Sequence, residues 1–339
     1  MRKYGYMKPM EGVLFVDEFQ FIDSIKQTSY NQASIIKGIG DDAAVFRSTN
    51  SDIVTAVDTF VEGIHFSEQT MEPFHIGYRA LAANISDMAA MGAIPKFYLV
   101  SIVIPKQATK QVLEQIYDGM KTIANEYKMD LIGGDTVSGN QLTISVTIIG
   151  QVPFGKARYR SEAKHKDIVF VTGTLGDSQA GLHILRNELH CKGNEEFIQR
   201  HRMPSPRVDF SKSLWSIERI ALNDISDGIA NELREIANAS RVSITIDDDK
   251  IPTSSNFEQF SLTKQYEWKY FGGEDFELVG TVSAKDWDKV QEIALKSNVR
   301  ITKIGRVSFN KDMIGQVFLK KGHCILPLEK RGYIHKVGE

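Results

Sequence analysis

Two apolar periods alternate along the chain. Phe19, Ile22 and Ile25 recur among charged residues at a helical spacing, and a glycine-bearing turn at 37–42 then leads into a strand at 43–46. A second strand over 53–57 delivers Asp58 at its end. The longest helical pattern covers 75–91, where Tyr78, Leu81, Ala82, Ile85, Met88 and Ala89 form an apolar stripe while Ile76, Arg79, Ala80, Ala83 and Asp87 share the other side. Small residues beside Asp87 allow a backbone or a ligand to approach closely. A strand over 97–104, a helix carrying Val112, Ile116, Met120 and Ile123, and the glycines of Gly133-Gly134-Asp135 follow. Leu142, Ile144, Val146 and Ile148 then alternate with Thr143, Ser145 and Thr147, the period of a half-buried strand.

Pro153 and Gly155 break this pattern, which places a boundary near 151–156 and divides the chain into 1–150 and 151–339. Beyond it the sequence predicts a strand at 168–171, a helix at 179–189, a proline-bearing loop at 202–207 and a helix starting near Asp227. Further strands are predicted at 242–246, 277–282 and 301–307. Strand and helix mix in both halves, so the expected class is α/β with α+β character, in two domains. With 339 residues and 42% hydrophobic content, the chain is long and apolar enough for two cores.

A formal charge of −2 without a long basic block offers little to attract nucleic acid. Cys191 and Cys324, far apart, fit a reducing cytoplasm and supply neither a disulfide framework nor a thiolate zinc site. The apolar run at 13–16 is cut off by Asp17 and Glu18, too soon for a signal peptide or a membrane span. The expected setting is therefore cytoplasmic, with neither nucleic acid nor membrane as a partner.

Six short acidic motifs carry the candidate chemistry: Gly40-Asp41-Asp42, Asp58-Thr59, Ser86-Asp87, Gly133-Gly134-Asp135-Thr136, Asp224-Ile225-Ser226-Asp227-Gly228 and Gly272-Gly273-Glu274-Asp275. Most end an apolar run or sit beside glycine. Unpaired carboxylates there cost on the order of several kcal/mol to bury, and a divalent cation is a ready partner. Hard Mg²⁺ takes oxygen ligands and shares its shell with water and substrate phosphates, so the pattern suggests a Mg-nucleotide site built from distant segments.

Each motif also has a purely structural reading. Asp41-Asp42 and Gly133-Gly134-Asp135 fit turns, Asp224, Ser226 and Asp227 fit the cap of the following helix, and His65 fits a packed or surface histidine. Asp87, inside a helix among alanines, is the hardest to explain without a ligand. The stretch 150–156 has Walker-A spacing, but Ala157 stands where a metal-binding hydroxyl belongs and Pro153 has no amide hydrogen, so it is a decoy.

In order along the chain, GIGDDAAVF, VDTFVEGIHF, ANISDMAAMGAIP, LIGGDT, YRSEAKHKD, VTGTLGDSQAGL, RHRMPSPR, ISDGI and FGGEDFEL resemble the thiamine-monophosphate kinase family, within the aminoimidazole ribonucleotide synthetase-like superfamily. These stretches cover nearly the whole chain. The resemblance implies direct in-line transfer of the ATP γ-phosphoryl to thiamine monophosphate, assisted by several Mg²⁺ ions. It implies an N-terminal ATP- and Mg-binding domain at 1–150 whose sheet pairs with its copy in a homodimer, then an α+β domain at 151–339. Asp42, Asp58, Asp87, Asp135, Asp224 and Asp227 are the implied magnesium ligands, with main-chain oxygen at Ala56 and Val57. Tyr117, Gly134, Asp135, Arg160 and Ser226 are implied at ATP, and His65, Glu274 and Lys330 at the acceptor. Ala56 and Val57 replace the Ser or Thr common in the family, so no hydroxyl ligand remains there. Lys330 stands where an aromatic residue is usual, which leaves ring stacking to Tyr333 or Trp268.

Joining two phosphoryl groups requires their repulsion to be neutralised and their oxygens aligned. The acceptor phosphate is already ionised near neutral pH, so no general base is expected. Arg160 fits either a planar clamp on phosphate or a surface cation, and Glu274 either a counter-charge to a cationic acceptor or a loop acid. Rival readings are an aminoimidazole ribonucleotide synthetase, a non-catalytic nucleotide-binding module and a metal-dependent phosphohydrolase. The last usually adds histidine ligands or an Asp-x-Asp motif, which Asp58-Thr59-Phe60 lacks.

Overall fold

Two β-sheets organise the chain in the computed structural model, which describes residues 35–37, 41–47, 51–187, 189 and 192–331. The helix expected around Phe19, Ile22 and Ile25 and the stacking candidate Tyr333 lie outside the described residues. The first sheet holds β1 (Ile35–Lys37), β2 (Ala44–Arg47), β3 (Asp52–Val61), β4 (Ile94–Pro105), β5 (Asp130–Gly139) and β6 (Thr143–Val152), in the order β1-β2-β3-β6-β4-β5. Only β4 and β5 run parallel in it.

Helix α1 (Pro73–Ala90) lies on this sheet, and α2 (Lys110–Glu126) packs along α1. The other side of α1 meets the second half of the chain, so the helix is buried nearly all round rather than on the stripe alone. The two helices cross at glycine. A Cβ on Gly77 would fall 1.8 Å from the Ile116 carbonyl oxygen, and one on Gly119 would fall 1.9 Å from that of Phe74.

Gly133-Gly134-Asp135 is not a turn. It lies inside β5, where a Cβ on Gly134 would stand 2.0 Å from the Val100 carbonyl oxygen of β4. Glycine thus serves strand-to-strand approach there. Among the described residues strand β5 is a sheet edge, exposed along nearly its whole length. The Walker-like stretch is the end of β6 and the turn after it.

The second sheet holds β7 (Ile168–Thr172), β8 (Ile220–Asp224), β9 (Ser243–Asp247), β10 (Leu278–Val282), β11 (Ile301–Ser308), β12 (Val317–Lys321) and β13 (Cys324–Pro327), in the order β13-β12-β9-β11-β7-β10-β8. Helices α3 (Asp177–Asn187), α4 (Asn194–Arg202), α5 (Val208–Ser213), α6 (Ile229–Ser240), α7 (Leu262–Phe271) and α8 (Trp287–Lys296) accompany it. Every residue of β7, β8 and β10 is buried. Strand β8 therefore carries Asp224 into the interior at its C-terminal end. Among the described residues no helix is long and apolar enough to cross a membrane.

Candidate functional site

Three carboxylates from distant segments converge between the two halves. Asp42 precedes β2, Asp87 lies in the last turn of α1 and Asp224 ends β8, and one oxygen of each lies within 4.8 Å of the others. Burial acts most strongly on all three and neighbouring carboxylates add to it. Asp42 is pushed up to about 8, Asp224 to about 6, and Asp87 well above the carboxylate range. Asp58, in β3, rises to about 6 through burial and the charge of Asp42. Asp227 adds its field to Asp224 and to the buried Glu232.

Arg160 is the principal cation here. Its guanidinium pairs with Asp42, lies 3.8 Å from Asp41, and is steadied by Nε donating to Asn223 Oδ1 at 3.0 Å. Glu232 accepts from Asn223 Nδ2 at 2.5 Å and from the Asp227 amide at 3.1 Å, so one carboxylate orders both sides of the cluster. The Ser86 hydroxyl donates to Asp224 Oδ2 at 2.7 Å. Asp42 Oδ2, buried, accepts no hydrogen bond among the described residues. An all-oxygen donor set, mutually repelling and only partly compensated, fits a hard divalent cation such as Mg²⁺. Helix capping does not account for the acids, because the N-cap of α6 is Gly228 and no side chain caps it.

Beside the cluster opens a cavity of about 840 Å³, with Asp58, His65, Ser226, Asp227, Trp268 and Glu274 on its wall. His65 Nδ1 accepts the Val61 amide at 3.0 Å, which makes Nε2 the ring's donor when neutral. The loop bearing Glu274 is pressed against the Ser226-Asp227 turn: a Cβ on Gly273 would lie 2.2 Å from Ser226 O, and the Glu274 amide donates to that oxygen at 2.7 Å. Lys330 is exposed and lies outside this wall, whereas Arg331 lies on it, its guanidinium 5.6 Å from the Phe271 ring centroid.

Sequence reasoning missed the roles of the other acids in the same loop. Asp275 accepts the amides of Gly176 and Ser178 at 2.7 and 3.1 Å, tying down the start of α3. Glu277 is enclosed by Arg207, Arg200 and Thr172. Both sit beside the cavity loop as structural acids. Arg79, buried beneath Glu274, was also missed, since its partners are far away in sequence.

Asp135 stands elsewhere. With Tyr117, Gly133 and Gly134 it lines a shallow pocket of about 380 Å³ along β5. The cross-sheet row Thr59, Ser145, Ser101, Asp135 separates it from the residue after Asp58 by three strand spacings, about 14 Å. Within one chain, Asp42, Asp58, Asp87, Asp224 and Asp227 gather, and Asp135 remains apart. Ala56 and the exposed Val57 precede Asp58 on β3.

Residues 40–152 match the model of the AIR synthase related protein N-terminal domain, and residues 165–317 match its C-terminal counterpart. A thiamine-monophosphate kinase from Bacillus subtilis (strain 168) is 45% identical over 326 residues, covering 94% of this chain and 99% of that relative. The chain belongs to the thiamine-monophosphate kinase family. The first match spans β2 to β6 and the second β7 to β11, and the mixed α/β class expected from the sequence holds. Thiamine-monophosphate kinase from Stenotrophomonas maltophilia K279a superposes with a TM-score of 0.73 at 34% identity, over 83% of this chain and 90% of that one. AaThiL complexed with AMPPCP and TMP superposes with a TM-score of 0.81 at 31% identity, over 94% of this chain and 97% of that one. The acid cluster spans both matched domains, Asp42 and Asp87 coming from the first and Asp224 from the second.

Proposed function

We propose that this protein transfers the γ-phosphoryl group of ATP directly, in line, to thiamine monophosphate, yielding thiamine diphosphate and ADP in the cytoplasm. The observation that carries this reading is the convergence of Asp42, Asp87 and Asp224 beside a cavity of about 840 Å³, in a chain of this family. The co-complex of AaThiL with AMPPCP and TMP supports a nucleotide and a monophosphate bound together.

Asp42, Asp58, Asp87, Asp224 and Asp227, with main-chain oxygen at Ala56 and Val57, would hold Mg²⁺. Bound Mg²⁺ supplies positive charge that offsets the repulsion between donor and acceptor phosphates. Arg160, already inside the cluster, is placed to exchange Asp42 for a phosphate oxygen, and Ser226 adds a polar contact to ATP. His65 and Glu274 meet the acceptor, Lys330 adds positive charge beside Arg331, and Trp268 offers a ring face. No general base is required, because the attacking phosphate oxygen is already ionised.

The working unit in this reading is a homodimer, with 1–150 as the nucleotide-, metal- and partner-binding domain and 151–339 as the α+β domain. Among the described residues strand β5 offers an unpaired edge with Leu131, Ile132 and Val137 exposed on it. Pairing this edge with a second copy is the route by which Asp135, Tyr117 and Gly134 join an acid cluster from which, in its own chain, Asp135 is separated by the strands between β3 and β5. The test is an assay of ADP and thiamine diphosphate. Formation of both, dependent on thiamine monophosphate and Mg²⁺, is expected; ADP released equally without the acceptor overturns the proposal.

A further inference from the structure

Arg79 lies in the middle of α1 and is completely buried, among the largest side chains of the interior. One terminal nitrogen meets the carbonyl oxygen and Nδ1 of His201, the other pairs with the Glu274 carboxylate, and the guanidinium carbon lies 5.8 Å from the Phe276 ring centroid. Burial and the surrounding arginines hold the His201 imidazole well below its usual range, so the ring is neutral and accepts from Arg79. Glu274 and Phe276 sit at φ values of 68° and 49°, in the left-handed region that non-glycine residues rarely occupy. Such conformations persist where the surroundings over-determine them, and they cluster at ligand clamps. The contacts that over-determine Glu274 are the hydrogen bond its amide donates to the Ser226 carbonyl oxygen and its ion pair with Arg79.

Arg79 and Ser86 stand seven residues apart, two turns along one face of α1 and about 10 Å in rise. Arg79 grips Glu274 on the cavity wall, and Ser86 grips Asp224 in the acid cluster. We propose that Arg79 is the positioning residue of the acceptor site. It fixes the Glu274 carboxylate where it meets the cationic, amine-bearing end of the acceptor, and through α1 it sets the span from there to the acids that would hold Mg²⁺ against the acceptor's phosphate. This inference rests on the function proposed above and deepens it: a single helix gauges the acceptor's length.

The test is steady-state kinetics on Arg79→Met, Arg79→Lys, Glu274→Gln and the Arg79→Met/Glu274→Gln double variant, with melting temperatures alongside. Arg79→Met should raise KM for thiamine monophosphate about tenfold or more while KM for ATP stays within about twofold. Arg79→Lys should restore part of the loss, and the double variant should resemble Glu274→Gln alone, because the two residues act as one unit. Additive effects in the cycle, equal rises in both KM values, or an unchanged acceptor KM overturn the proposal. An Arg79→Lys protein that does not fold assigns the residue to stability and overturns it too. Failure of the wild-type protein to phosphorylate thiamine monophosphate removes the functional reading itself, an outcome distinct from all of these.

Discussion

Glu277 and Asp87 are both carboxylates drawn into the protein, the first fully buried and the second partly so, and their surroundings treat them in opposite ways. Glu277 is gripped by Arg207, faces Arg200 at 3.4 Å and accepts the Thr172 hydroxyl at 2.6 Å. Asp87 faces Asp58, Asp224 and Asp42, and Arg160 is the cation that opposes them. The first pocket is closed by its own charge balance. The second is left open to positive charge from outside. Burial of an acid is thus no guide to its role, whereas the sign of its neighbours is.

The largest effect should come from Asp87→Asn, which removes a carboxylate proposed above to hold Mg²⁺. Turnover at saturating Mg²⁺ should fall at least about 100-fold. The melting temperature without metal should hold or rise, because an amide is free of the burial cost and neighbour repulsion that oppose ionisation of this acid. Near-normal turnover would erase the distinction between the two pockets.

Glu277→Gln should do the reverse, costing about 3 kcal/mol in urea unfolding by leaving two partly buried guanidinium groups under-paired. Turnover per folded molecule should stay within about twofold. A large loss of turnover at unchanged stability would move Glu277 into the reaction.

A smaller, graded effect concerns pH. Asp42 rises from an ordinary 3.8 to about 8, so the folded state holds a proton that the unfolded chain has released. Its contribution to stability is complete below the lower value and is lost as pH climbs to the higher. Metal-free protein should therefore melt at progressively lower temperature from about pH 4 to pH 8, and Mg²⁺, displacing those protons, should flatten the slope. A slope identical with and without Mg²⁺ would uncouple the acid cluster from metal.

The sequence made some of this legible and hid the rest for physical reasons. The helix expected at 75–91 is α1, Pro73–Ala90, because apolar spacing records local burial directly. The acids were visible because a carboxylate beside an apolar run is conspicuous by residue type alone. Gly133-Gly134-Asp135 misled, since glycine looks the same whether it makes a turn or lets a neighbouring strand approach. Strand β8 was missed because Asn223 and Asp224 end a five-residue segment with too few apolar positions to show a period. The separation of Asp135 from the cluster was unreadable too, as chain spacing does not say how many strands intervene. Arg79 was hidden most completely. Its partner His201 is 122 residues away, and an arginine among alanines on a helix gives no sign that its charge is spoken for inside.

The crossing of α1 and α2 has a consequence that reaches beyond packing. Tyr117 rides on one of these helices, Arg79 and Asp87 on the other, and two bare hydrogens at Gly77 and Gly119 determine how near they come. A single methyl at either point would be registered far from its place of insertion, as a wedge that shifts these three side chains together. The protein can drift freely over the outer surface of α2, yet at these two positions it has no latitude at all.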